Sequence, residues 1–68
     1  MERTYFRNNK VIKSPAHEGG NPQEGDYLRV AKANEPAFWY TNINGNWWFV
    51  RTEEIPAPIK TLILLGVA

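Results

Sequence analysis

Apolar and polar positions alternate along much of this chain, most densely from Ala37 to Thr52, AFWYTNINGNWWFVRT. Two β-favouring runs flank Asn44-Gly45, a pair suited to the positive-φ positions of a type I′ turn. The stretch therefore predicts a two-residue β-hairpin. With Asn44 and Gly45 at the tip, Ile43 sits opposite Asn46, Asn42 opposite Trp47 and Thr41 opposite Trp48. The ladder continues through Tyr40 and Phe49, Trp39 and Val50, and Phe38 and Arg51. Side chains alternate between the faces of a strand. Trp39, Thr41, Ile43, Trp48 and Val50 thus share one side, and Phe38, Tyr40, Asn42, Trp47, Phe49 and Arg51 share the other. Both sides are largely apolar. One is expected to cover a core, which leaves the other in surplus.

The same reasoning places a first hairpin over residues 3–13, RTYFRNNKVIK, turning at Asn8-Asn9, since Asn tolerates the left-handed region better than most residues. That register sets Phe6 opposite Val11, Tyr5 opposite Ile12 and Arg7 opposite Lys10. The last is a mildly unfavourable like-charge pair. Residues 14–25, SPAHEGGNPQEG, have no apolar periodicity and are rich in Gly and Pro, so they are expected to form a mobile loop. Loops this long in small domains are often functional or mobile. Asp26 to Ala33 alternates as a strand, with Leu28 and Val30 on one face and Tyr27 and Arg29 on the other. Asn34-Glu35-Pro36 is a turn. Pro56 and Pro58 end sheet pairing, because neither can donate to a ladder. Pro58 is expected to open a short apolar helix over Ile59 to Leu65, stopped by Gly66. The alternative for this run is a strand from Thr61 to Val67.

The expected fold is mostly β: a single domain over residues 1–68, a small antiparallel β-barrel or meander with a short C-terminal apolar helix. Gly25-Asp26 opening a strand, a Trp-rich hairpin and a Pro-containing turn at Ile55-Pro56 loosely resemble an SH3-like barrel. The resemblance covers about half of the chain, and no peptide-binding residue of that family can be matched here. The assignments to the core are Trp39, Ile43, Trp48, Val50, Leu28 and Val30.

Composition narrows the function. A chain of 68 residues without Cys has neither disulfides nor thiolate metal sites, so its stability comes from burying its 43% hydrophobic residues. The net charge of +1 is too small for a general electrostatic nucleic-acid binder. Charge is unevenly spread: residues 1–13 carry a local +3 and residues 14–26 a local −3, blocks that can face each other in the fold. No positive start leads into an apolar run, so no signal peptide is expected. The apolar stretch Leu62 to Ala68 is far short of the ~20 residues that span a bilayer. A soluble, intracellular protein is the expectation, with no membrane partner.

Little points to catalysis. The single His, His17, lies in the loop beside Glu18 without an orienting neighbour. Ser14 precedes Pro and has no nucleophile-elbow context. Glu53-Glu54 suits a solvated turn better than a shared site. Gly19-Gly20 lacks the spacing and the Lys of a phosphate loop. The expectation is no enzyme, no cofactor and no metal site.

Binding is better supported. Trp, Tyr and Arg dominate protein hot spots, and Phe38, Tyr40, Trp47, Phe49 and Arg51 have that composition on one face. The apolar C-terminal segment (Ile59, Leu62, Ile63, Leu64, Leu65, Val67) is a second surface that needs cover. The expected function is a non-catalytic protein-binding module, a small adaptor, inhibitor or assembly subunit. It would bind another protein or its own copy through the aromatic hairpin face and the C-terminal segment. Such a chain suits an accessory protein of a virus or mobile element. The less favoured alternative is a single-stranded nucleic-acid binder, using the aromatic face with Arg29, Lys32 and the basic first hairpin.

Overall fold

The computed structural model describes residues 1–13 and 22–66. Strands β1 (Glu2–Arg7), β2 (Lys10–Ile12), β3 (Tyr27–Ala31), β4 (Phe38–Ile43) and β5 (Asn46–Val50) are followed by a 3-10 turn (Thr52–Glu54) and helix α1 (Ala57–Leu64). The strands form one antiparallel sheet in the order β2-β1-β3-β4-β5. The sheet has two edges, β2 and β5, and does not close, so barrel describes it only loosely. It is not a pure meander either, because β1 lies between β2 and β3.

Both hairpins take the register that their sequences predict. Tyr5, Phe6 and Arg7 face Ile12, Val11 and Lys10, and Ile43 to Trp39 face Asn46 to Val50. The turns follow from residues that accept positive φ: Asn8 at 52° and Asn9 at 60°, Asn44 at 53° and Gly45 at 84°. The like charges of Arg7 and Lys10 are tolerated because the Arg7 guanidinium turns to Asp26 instead. Asn34, at φ 64°, supports the predicted turn before Pro36.

α1 covers one face of the sheet. Its core holds Phe6, Trp39, Ile55 and Ile59, with Tyr27, Val50, Leu62 and Ile63 packed around them. The Phe6 and Trp39 rings lie 5.5 Å apart between centroids. Burying a side chain such as Phe6 or Ile59 contributes about 2–3 kcal/mol. The helix starts at Ala57, two positions before Ile59, because Pro56 serves as its N-cap and Pro58 fits its first turn. It ends where Gly66 turns to φ 74° and donates its N–H to the Ile63 carbonyl at 3.1 Å.

Two expectations about the core need correction. Leu28 is buried as expected, but on the opposite face of the sheet from Trp39, and Val30 beside it is only partly buried. Arg29 pairs with Trp39 and Leu28 with Tyr40, so it is Tyr27 and Arg29 that share the helix-covered face. Ile43 and Trp48 do lie on that face but are exposed, Trp48 by 57%. An eight-residue helix over Phe6 and Trp39 is too short to reach the hairpin tip. The strand expected from Asp26 to Ala33 is confined to Tyr27–Ala31. Of the loop expected over 14–25, residues 14–21 lie outside the described residues, and with them Ser14, His17, Glu18 and Gly19-Gly20.

Candidate partner-binding face

The face opposite α1 is assembled by register. Pairing across β1, β3, β4 and β5 lines up Tyr5, Leu28, Tyr40 and Phe49 in one row. Arg3, Val30 and Phe38 form a parallel row, and Trp47 sits opposite Asn42 on the other side. The rings touch in edge-on or tilted arrangements that aromatic quadrupoles favour. Tyr40 meets Phe49 at 6.2 Å and 77°, Phe38 meets Phe49 at 6.2 Å, and Tyr5 meets Trp47 at 6.1 Å. Leu28 is buried at the centre of this layer, whereas Phe38 and Phe49 remain 47% and 59% exposed.

The five residues expected to bind a partner do come together. Phe38, Tyr40, Trp47 and Phe49 share this face, and Arg51, just past β5, lines a groove with Phe38 and Phe49. A neighbouring concavity is lined by Leu28, Val30, Phe38, Tyr40 and Trp47 together with Met1, Arg3 and Lys32. Aromatic and basic residues thus line it together. Arg29 is elsewhere: it lies on the helix side, in a groove with Lys60, Ile63 and Leu64. The alternative reading loses that cation but keeps Lys32 and, from the basic first hairpin, Arg3.

Three features of this face are not legible from local sequence. Tyr5 and Arg3 join it only because β1 pairs with β3, a contact between segments that no local signal predicts. The second is an ion pair: Arg7 donates Nε to Asp26 Oδ1 at 3.0 Å and Nη2 to Oδ2 at 2.8 Å. The Gln23 N–H adds a third bond to Asp26 at 2.9 Å. Burial alone pushes the Asp26 carboxyl up, but the bonds from Arg7 and Gln23 outweigh it, so it sits below its ordinary value. The third is Asn42, which is buried with neither Nδ2 nor Oδ1 hydrogen-bonded among the described residues.

At the hairpin tip, Asn44 donates its N–H to Glu24 Oε2 at 2.8 Å. The Glu53-Glu54 pair forms part of the 3-10 turn, where Glu54 Oε2 accepts the Arg51 N–H at 2.9 Å. Leu64, the last residue of α1, and Leu65, its C-cap, are exposed at 86% and 70%, while Val67 lies outside the described residues. No helix among the described residues is long and apolar enough to cross a membrane. Among the same residues, no group of three or more His, Cys, Asp or Glu could hold a metal ion. No family model, curated protein or solved structure matches this chain.

Proposed function

We propose that this chain is a non-catalytic binding module that takes a partner protein on the sheet face opposite α1. The observation that carries this reading is the exposure of Phe38 and Phe49 on a layer whose neighbours, Tyr40, Trp47 and Leu28, are already packed. Large rings standing on a preformed apolar floor lose little conformational freedom when a partner covers them, which is how hot spots gain affinity. Arg3, Lys32 and Arg51, which line the same grooves, favour a partner with acidic groups beside an apolar patch.

The test is capture of a partner by immobilised protein, with Phe38→Ala/Phe49→Ala as the comparison. The double variant is expected to lose roughly tenfold or more in affinity, since one hot-spot ring is worth about 2 kcal/mol. Its unfolding midpoint should stay near that of the wild type. Equal capture by both proteins would sink the reading.

Arg3 and Lys32 beside Tyr40 and Trp47 also support a single-stranded nucleic acid, with bases stacked on the rings and phosphates on the cations. Oligonucleotide affinity that falls steeply with salt and drops in Arg3→Ala and Lys32→Ala would favour this second reading.

A further inference from the structure

The outer edge of β5 has a hydrogen-bonding phase fixed by bonds on the other side of β4. Asn42 gives its N–H to the Asp26 carbonyl at 2.9 Å and accepts the Gly25 N–H at 3.0 Å. Its backbone therefore points to β3, and the backbones of Trp39, Thr41 and Ile43 point to β5. Their partners Val50, Trp48 and Asn46 use their own groups on β4. By alternation, Trp47 and Phe49 turn their N–H and C=O outward. The outward series stops on one side at the turn residue Gly45. On the other it stops at Arg51, whose N–H is taken by Glu54.

The two edges of the sheet differ. β2 has three residues and carries Lys10, the short and charged form that discourages edge pairing. β5 has five residues, NWWFV, and no charge. Among the described strands β5 pairs with β4 alone, and its Asn46, Trp48 and Phe49 are exposed.

We propose that β5 pairs antiparallel with β5 of a second copy about a two-fold axis at Trp48. Only two residues turn their backbones outward, and Trp48 lies midway between them. That centre alone pairs both: Trp47 with Phe49 of the copy, and Phe49 with Trp47, each pair exchanging its two backbone bonds. A second copy is the occupant that this strand fits. The register stacks Trp48, exposed on the helix side, against its own counterpart and sets each Phe49 beside a Trp47 of the copy, at the seam of the two aromatic faces. Arg51 falls opposite Gly45, so no like charges oppose each other. The two-fold stands perpendicular to the sheet, which places both helices on one side and both aromatic faces on the other. The pairing uses edge groups and does not depend on the partner-binding reading.

Trp48 and its counterpart form a non-hydrogen-bonded pair, with Cα atoms roughly 4.5 Å apart. This lies within the span of about 4.4–6.8 Å that a disulfide bridges. The chain has no Cys, so single cysteines report without background. The experiment combines sedimentation of the wild type over a wide concentration range with oxidation of Trp48→Cys and Asn46→Cys. The expected result is a mass that rises from monomer to dimer, and a disulfide-linked dimer from Trp48→Cys only. In the wild type, amide exchange at Trp47 and Phe49 should slow as concentration rises, a readout that needs no variant. A wild type that stays monomeric throughout overturns the proposal, as does a dimer in which Asn46→Cys links as completely as Trp48→Cys or neither links. Phe38→Ala should leave the dimer intact, which separates this outcome from loss of the partner face.

Discussion

The Arg7 guanidinium grips the Asp26 carboxylate through two parallel hydrogen bonds, at 3.0 and 2.8 Å, across the β1–β3 boundary. This ion pair locks the first hairpin to the rest of the sheet. Asp26 is buried and accepts three hydrogen bonds as an anion, so Asp26→Asn is expected to cost about 2 kcal/mol at neutral pH. Asp26 has a lowered value when folded, so its contribution is present above the ordinary carboxylate range. It is lost as pH falls through the folded value. Urea unfolding from neutral to acid pH should show wild-type stability falling on acidification, with a shallower slope in Asp26→Asn. Equal slopes would mean that Asp26 does not carry the acid sensitivity.

Asn42 offers a gain. Its buried side-chain amide makes no hydrogen bond among the described residues and so bears its desolvation cost without return. Asn42→Leu, of similar shape, is expected to stabilise the fold by about 1 kcal/mol. A thermal melt would show the gain, and a lower midpoint would mean that the amide has a structural role.

Neighbouring rings on β4 should behave in opposite ways. Trp39 is in the core, and Trp39→Ala is expected to cost about 3–5 kcal/mol. Phe38, on the other face and half exposed, should cost under about 1 kcal/mol, as expected of exposed sites. Comparable losses in chemical denaturation would show that both faces of the sheet serve as core.

The two hairpin turns provide a matched comparison. Gly45 holds φ 84° with open space where a Cβ would be, so Gly45→Ala loses conformational freedom without a clash. Its expected cost is about 1 kcal/mol. Asn9, at φ 60° in the corresponding position, should become more stable by up to about 1 kcal/mol as Asn9→Gly. Urea midpoints that moved in the same direction would refute the turn assignment.

The hairpins were legible because their information is local. Asn8-Asn9 and Asn44-Gly45 fix the turns, and the turns fix the registers. The helix was legible from Pro58 and Gly66, though its first turn began earlier than Ile59. The phase between elements was not. Leu28 and Tyr27 alternate with equal clarity, and only the pairing of β3 with β4 decides which one meets Trp39. The common face of Phe38, Tyr40, Trp47 and Phe49 is therefore legible, because they belong to one hairpin. It was missed for Tyr5 and Arg3, whose place depends on a distant strand. The Arg7–Asp26 bond escaped for the same reason; opposite charge blocks hinted at contact but named no pair.

The position of β1 between β2 and β3 sets an order on folding. Each hairpin closes between residues a few positions apart, whereas Tyr5 must find Leu28 across the chain. The hairpins can form early and alone, but neither reaches its full hydrogen bonding until each docks on β3, which lies between them. The rate-limiting event should thus be closure of the β1–β3 seam, as expected where distant contacts must meet before they are rewarded. Substitutions at Tyr5 and Leu28 would then slow folding, while those at the hairpin tips would mainly speed unfolding.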